Sequence, residues 1–205
     1  MDNALAIKMI PVGYMFKKVA RHPDWIVTDN IVDMYSVGGC VSENFADYIQ
    51  FWKHNGYWLF NSPAVMKEIA AEKNIDLSGM TLFYYECYEY EFDLPDQSSV
   101  SAAGQWSKFA CDSSFLTYVE VPGVKRLAGY DVTEFVCRNS PECSLIGCVP
   151  EISMHISGIN SHGLFDSFQA AKAALESGIF HRHEPGPYRI LAVYLVDCNP
   201  FGKFD

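Results

Sequence analysis

Residues 82–93 read as a strand. At a period of two they place Leu82, Tyr84, Glu86, Tyr88, Tyr90 and Phe92 on one face, and Phe83, Tyr85, Cys87, Glu89, Glu91 and Asp93 on the other. Each face carries an anomaly. Glu86 falls among aromatic rings, where a carboxylate loses water and its ionisation shifts upward, as in many general acids, unless an Arg, a Lys or tyrosine hydroxyls hold it. Glu89, Glu91 and Asp93 align at intervals of about 7 Å, an acidic ladder that repels itself unless solvent or a basic partner surface faces it.

Two other groups have metal or acid–base chemistry in their side chains. Cys137, Cys143 and Cys148, followed by His155 and His162, offer thiolate and imidazole, the donors of a tetrahedral zinc site. Their spacing speaks against it. The gaps are C-x5-C and C-x4-C, whereas structural zinc sites use ligands two to four residues apart, so no metal and no cofactor is expected. His181, Arg182, His183 and Glu184 precede Pro185, Gly186 and Pro187, a polar loop whose histidines would titrate near neutrality. The sequence contains no phosphate-cradling glycine loop, dinucleotide fingerprint, zinc-protease helix or nucleophile elbow. A Cys–His–Asp set assembled in space has many possible members, and no catalytic residue is singled out.

A third group is aromatic: Phe51, Trp52, Tyr57, Trp58 and Phe60 surround Lys53, His54, Asn55 and Gly56. If residues 57–60 alternate as a strand, Tyr57 and Trp58 point to opposite sides and one of them reaches the surface. Rigid rings bury much area at low entropic cost, which suits Tyr57 or Trp58 to anchoring a partner. With Glu89, Glu91 and Asp93 they form the expected partner-binding set.

These side chains need elements to carry them. Residues 12–19 and 31–37 read as strands around the turn at His22, Pro23 and Asp24. Residues 42–54 read as a helix capped by Ser42, with Phe45, Tyr48, Ile49 and Trp52 as its apolar stripe and Asn55-Gly56 as its stop. A second helix begins at Pro63 behind Asn61 or Ser62, with Val65, Met66, Ile69 and Ala70 facing inward. Strands are expected at 132–136, 152–156 and 188–196, and a helix capped by Ser167 runs over 168–177 to Gly178.

The second half repeats landmarks of the first. Leu59-Phe60-Asn61-Ser62 returns as Leu164-Phe165-Asp166-Ser167. Gly13-Tyr14, Gly39-Cys40-Val41, Asn55 and Asp93 return as Gly129-Tyr130, Gly147-Cys148-Val149, Asn160 and Asp197. The expected fold is therefore α+β: two related tandem modules of mixed strands and short helices, packed together. Residues 1–95 form the first and 126–205 the second. Residues 96–125 are a linker with an ambiguous strand, and the polar stretch 94–108 is its loop.

Composition narrows function. The chain has 205 residues, 49% of them hydrophobic, enough to bury a sizeable core. A net charge of −10 disfavours nucleic acid and anionic lipid and favours a basic protein partner. Neither a secretory signal nor a run of about 20 apolar residues is visible, and seven unpaired-looking cysteines fit reduced thiols, so the expected location is cytoplasmic. The leading expectation is a protein-binding module, such as an inhibitor or immunity protein that neutralises a basic toxin or nuclease. The alternatives are a small-molecule enzyme with its site in a cleft between modules, and a structural subunit of an assembly.

Overall fold

The computed structural model describes residues 7–26, 28–39, 42–45, 54–93, 104–109, 118–135, 143–148, 156–180 and 186–197. Its centre is β5 (Thr81–Asp93), the long strand legible in the sequence. Such a strand needs partners along both edges, and no single neighbour is long enough to supply one of them. On one side β1 (Met9–Lys18) pairs antiparallel from Thr81 to Tyr88, and where β1 ends β6 (Gln105–Lys108) takes over from Tyr90 to Asp93. On the other side lies β8 (Tyr188–Leu195), followed by β7 (Arg126–Glu134). The two-residue β4 (Glu43–Asn44) extends the far edge of β1, giving a six-stranded antiparallel sheet in the order β4-β1-β5-β8-β7 with β6 beside β5. A separate pair joins β2 (Ala20–Arg21) to β3 (Asp33–Met34).

Three helices are described: α1 (Pro63–Lys73), α2 (Leu145–Cys148) and α3 (Phe168–Glu176). Ser62 caps α1 by accepting from Val65 N, and Ser167 caps α3 by accepting from Ala170 N. Asn74 ends α1 in the left-handed region, where its short polar side chain is tolerated. Met66, Ile69 and Ala70 of α1 join a core containing Val12, Tyr14 and Phe16 of β1, while Phe168, Ala171 and Leu175 of α3 join Val132, Tyr188 and Ile190. The molecule is thus mixed: one antiparallel sheet with a few short helices, in keeping with an α+β fold. Among the described residues no helix is long and apolar enough to cross a membrane.

The repeated landmarks mark two turns with the same bonding. Asn55 donates its Nδ2 to Val12 O and accepts at Oδ1 from Tyr57 N and Leu59 N; Asn160 donates to Ala128 O and accepts from His162 N and Leu164 N. Phe60 and Tyr14 exchange both backbone hydrogen bonds, as do Phe165 and Tyr130. Gly13 and Gly129 sit beneath these turns with φ of +139° and +151°, each beside a register shift. A Cβ on Gly13 would lie 2.7 Å from Leu59 Cβ, and one on Gly129 would lie 2.7 Å from Leu164 Cβ. Side chains are therefore excluded at both positions by space as well as by φ. In the ladder Gly13 faces Tyr85, Gly129 faces Val193, and Tyr85 and Val193 face each other.

Several expected elements differ. Residues 57–60 form a turn closed by a single bridge at Phe60, because the Asn55 side chain takes the amides of Tyr57 and Leu59 that a strand partner would otherwise take. Glu43 and Asn44 open as β4 against Lys17 and Lys18 and not as a helix; residues 46–53, with the rest of that helix and Tyr48, Ile49, Phe51 and Trp52, lie outside the described residues. Of residues 31–37 only Asp33 and Met34 pair as a strand. Val65 is exposed and leaves the α1 stripe, and the end of the stretch read as a loop forms β6. β7 starts at Arg126, earlier than the hydrophobic pattern indicates. Residues 152–155 and 110–117 lie outside the described residues.

Candidate functional site

Glu86 stands near the middle of the sheet, opposite Ala192 on β8 and Pro11 on β1. One residue pair along, Tyr84 faces both Tyr14 and Tyr194, so three tyrosines lie side by side across β1, β5 and β8. Tyr84 donates its hydroxyl to Glu86 Oε1 at 3.2 Å, and Tyr194 donates to Oε2 at 2.9 Å. Lys125, just ahead of β7, closes the group by donating to Oε1, with its ammonium 4.1 Å from the Tyr194 ring centroid and 4.9 Å from that of Tyr84. Both carboxylate oxygens are therefore held, and the cation lies against two π-faces. Burial, followed by the Glu86 carboxylate, drives the Tyr84 and Tyr194 hydroxyls far above the ordinary tyrosine range, so they remain donors. The carboxylate on the aromatic face is thus held by a lysine and by tyrosine hydroxyls, the pairing that the sequence allowed, with 13% of the Glu86 side chain and 25% of the Lys125 side chain still exposed.

The strap that delivers Lys125 is itself unusual. Tyr14 donates its hydroxyl to Glu120 O at 2.7 Å, and Glu120 N donates to Asn61 O at 2.9 Å. Between and around these tethers Tyr118 is 84% exposed, Val121 55%, Val124 67% and Leu127 43%. Scattered exposed apolar side chains are ordinary, but four within ten residues form a concentrated apolar segment.

The acidic ladder is largely engaged within the chain. Glu89 pairs with Lys8 at 3.6 Å and Lys108 at 3.4 Å. Glu91 accepts from Arg189 Nη2 at 2.8 Å, and the buried Arg189 guanidinium lies between the rings of Phe109 and Phe135, 3.5 Å and 4.2 Å from their centroids. Asp93 is exposed at the strand end, its carboxyl drawn upward by partial burial and by Glu91. Tyr57 is buried in the core, whereas Trp58 is half-buried at φ +57° with its ring 5.5 Å from that of His54.

Two polar clusters have no clear signal in the sequence because their members come from distant segments. Asp131 on β7 accepts at Oδ2 from Val37 N (2.7 Å) and Ser144 Oγ (2.5 Å), and Ser144 Oγ accepts in turn from Gly38 N. The Lys17 ammonium donates to the carbonyls of Ser36, Val37 and Gly38. Burial pushes the Asp131 carboxyl up to about 6 despite these bonds. Elsewhere His162 Nδ1 lies 2.5 Å from Asp33 Oδ1, and its ring stacks on Tyr35 at 4.1 Å and 6°. Backbone bonds from Val32 and Asp33 to Ser161 O, and from Tyr35 to His162 O, run alongside.

Of the sulfur and imidazole set, Cys143 and His162 are described, and His162 is engaged with Asp33; Cys137, His155 and the side chain of Cys148 lie outside the described residues, as do residues 181–185. Among the described residues no group of three His, Cys, Asp or Glu side chains is placed to hold a metal ion. In comparisons with models of protein families, with curated proteins and with solved structures, the chain finds no match.

Proposed function

We propose that this chain is a protein-binding module for a basic partner, contacted through the strap at residues 118–127. The observation that carries the reading is the exposure of Tyr118, Val121, Val124 and Leu127 on that one short segment. Apolar side chains of this size displayed together are characteristic of contact surfaces, and the net charge of −10 around them favours a cationic protein. An inhibitor or immunity protein acting on a basic toxin or nuclease in the cytoplasm fits this chemistry. Asp93 and Trp58 are the members of the expected set best placed to add contacts. Glu89 and Glu91 would have to exchange Lys8, Lys108 and Arg189 for a partner's cations, and Tyr57 supports the turn from within.

The scaffold of this module is a pair of related halves that share one sheet. The matched Asn55 and Asn160 turns support that reading, with the local axis passing between Tyr85 and Val193.

Affinity capture from the native cell lysate tests the function. Wild type, a Tyr118→Ser/Val121→Ser/Val124→Ser variant and a Glu89→Lys/Glu91→Lys/Asp93→Lys variant are compared by mass spectrometry. A stoichiometric basic protein lost with the strap variant supports the reading. A partner held equally by it moves the surface elsewhere, and the charge-reversed variant then reports whether the ladder takes its place.

One observation favours a second reading, catalysis on a small molecule. A histidine whose Nδ1 is held by a carboxylate has the arrangement of an oriented general base, and the His162 side chain is 30% exposed. Any activity found in a substrate screen should then vanish in His162→Gln while the fold persists.

A further inference from the structure

A carboxylate ringed by tyrosine faces and phenolic donors is a receptor for an ammonium ion, and here the chain fills that receptor itself. The Lys125 ammonium meets the requirements of such a guest: an ion pair to Glu86 Oε1 and the π-faces of Tyr84 and Tyr194. The host does not depend on the guest for its shape. Tyr84 and Tyr194 are fixed on paired strands, and their hydroxyls hold both Glu86 oxygens through bonds in which Lys125 takes no part. The guest, by contrast, is a flexible four-carbon side chain on the apolar strap, and it can withdraw by rotamer changes without unpairing a strand. Removing it leaves a carboxylate without its cation, a vacancy that a second cation of the same class would fill.

We propose that Glu86, Tyr84 and Tyr194 form a binding site for a primary alkylammonium, occupied in cis by Lys125, and that a basic protein partner docks on the strap by placing one of its own lysines there. This deepens, and in its second half rests on, the protein-binding reading above. It gives that reading a chemical selectivity: tyrosine hydroxyls already occupy both Glu86 oxygens, which leaves a place for one further donor and not for the two-point fork of arginine, so lysine is the favoured guest. It also makes Lys125 a competitor, so partner binding should release it to solvent.

The site is tested apart from any partner. Lys125→Ala is melted in n-butylammonium chloride and in sodium chloride at equal ionic strength. The expected result is a rise of several degrees in Tm in the butylammonium salt, absent from wild type and from Glu86→Gln/Lys125→Ala. No rise in Lys125→Ala, or an equal rise in the double variant, overturns the site. Should Lys125→Ala not fold, wild type serves through competitive reductive methylation. Lys125 should react at least several-fold more slowly than Lys8, Lys18 and Lys108, whose side chains are 67%, 62% and 68% exposed. Equal rates overturn the site.

The two ideas fail separately. Butylammonium rescue with no partner captured leaves the site and removes the docking role. A captured partner that leaves Lys125 as protected as before removes the exchange and leaves the contact surface.

Discussion

At the scale of single residues, the strongest constraint is the buried polar knot around Asp131. Its Oδ2 satisfies a main-chain amide and a serine hydroxyl, while Lys17 binds three successive carbonyls of the same crossing segment, residues 36–38. Tyr85, wholly buried on β5, lies within the field of Asp131, and its hydroxyl, like Asp131 Oδ1, has no hydrogen-bond partner among the described residues. Truncation to Asp131→Ala strands both donors, and a loss of about 3 kcal/mol or more is expected from urea unfolding. The pH dependence has a definite sign. Burial raises the carboxyl in the folded state from 3.8 to about 6, so its contribution to stability is fullest below the unfolded value and is lost as pH rises through about 6. Across that window the loss amounts to about 3 kcal/mol, at roughly 1.4 kcal/mol per pH unit of separation. Other carboxylates drive acid unfolding in the opposite direction, so the measurable quantity is a difference. The stability of Asp131→Asn minus that of wild type should grow by that amount from about pH 4 to 7, and a flat difference would show that Asp131 is not the group responsible.

At the scale of elements, the sequence is legible where local rules decide and misleading where a distant group replaces a ladder. β5, α1, α3 and β8 follow from alternation, caps and apolar stripes, all of which lie within a dozen residues. Residues 57–60 look like a strand because they are apolar, yet a side-chain amide two residues before them takes two of their main-chain amides. β4 looks like a helix start because Ser42 and Glu43 suit a cap, and its pairing with Lys17 and Lys18 has no local signature. The candidate site shows the same division. Glu86 stands out as a carboxylate on an aromatic face, whereas Lys125, 39 positions away, has no sequence signal linking it to Glu86. The Asn turns yield a direct test. Asn160→Ala should cost about 2–3 kcal/mol, because two amides and one carbonyl lose partners, and Asn55→Ala should cost at least as much, since it also loses the bond to Asn61 Oδ1. Asn160→Asp keeps the acceptor but turns an oxygen toward Ala128 O, so it should cost less than Ala only at acidic pH, where a protonated carboxyl restores a donor. Urea midpoints at constant m-value would measure all three; an Asp variant as weak as the Ala variant even at acidic pH would show that these bonds do not carry the weight.

At the scale of the whole molecule, the decisive fact is that β5 and β8 are hydrogen-bonded neighbours, so strands from the first and second halves of the sequence meet inside a single sheet. An interface made of ladder bonds and core side chains differs from one between separate domains. Removing either half would expose the edge of a central strand together with apolar faces that each half buries for the other. Phe83, Tyr85 and Leu82 share a core cluster with Leu191, Val193 and Leu195, which come from the opposite end of the chain. Each half is also close to the size at which a core is marginal by itself. The chain is therefore expected to unfold in one cooperative step. All four tryptophans, Trp25, Trp52, Trp58 and Trp106, lie in the first 106 residues, yet Trp25 donates to Gly147 O and Trp106 to Glu176. Tryptophan fluorescence therefore follows both halves together, while amide exchange of β1 and of β7 follows each by itself. Coincident midpoints in urea, with β1 and β7 amides exchanging at the same limiting free energy, are the expected outcome. Loss of β1 protection ahead of β7 protection would mean that β7 and β8 hold together without β1 and β5. In that case the strap and Lys125, which lead directly into β7, would belong to the more durable half, and Glu86 to the half that leaves.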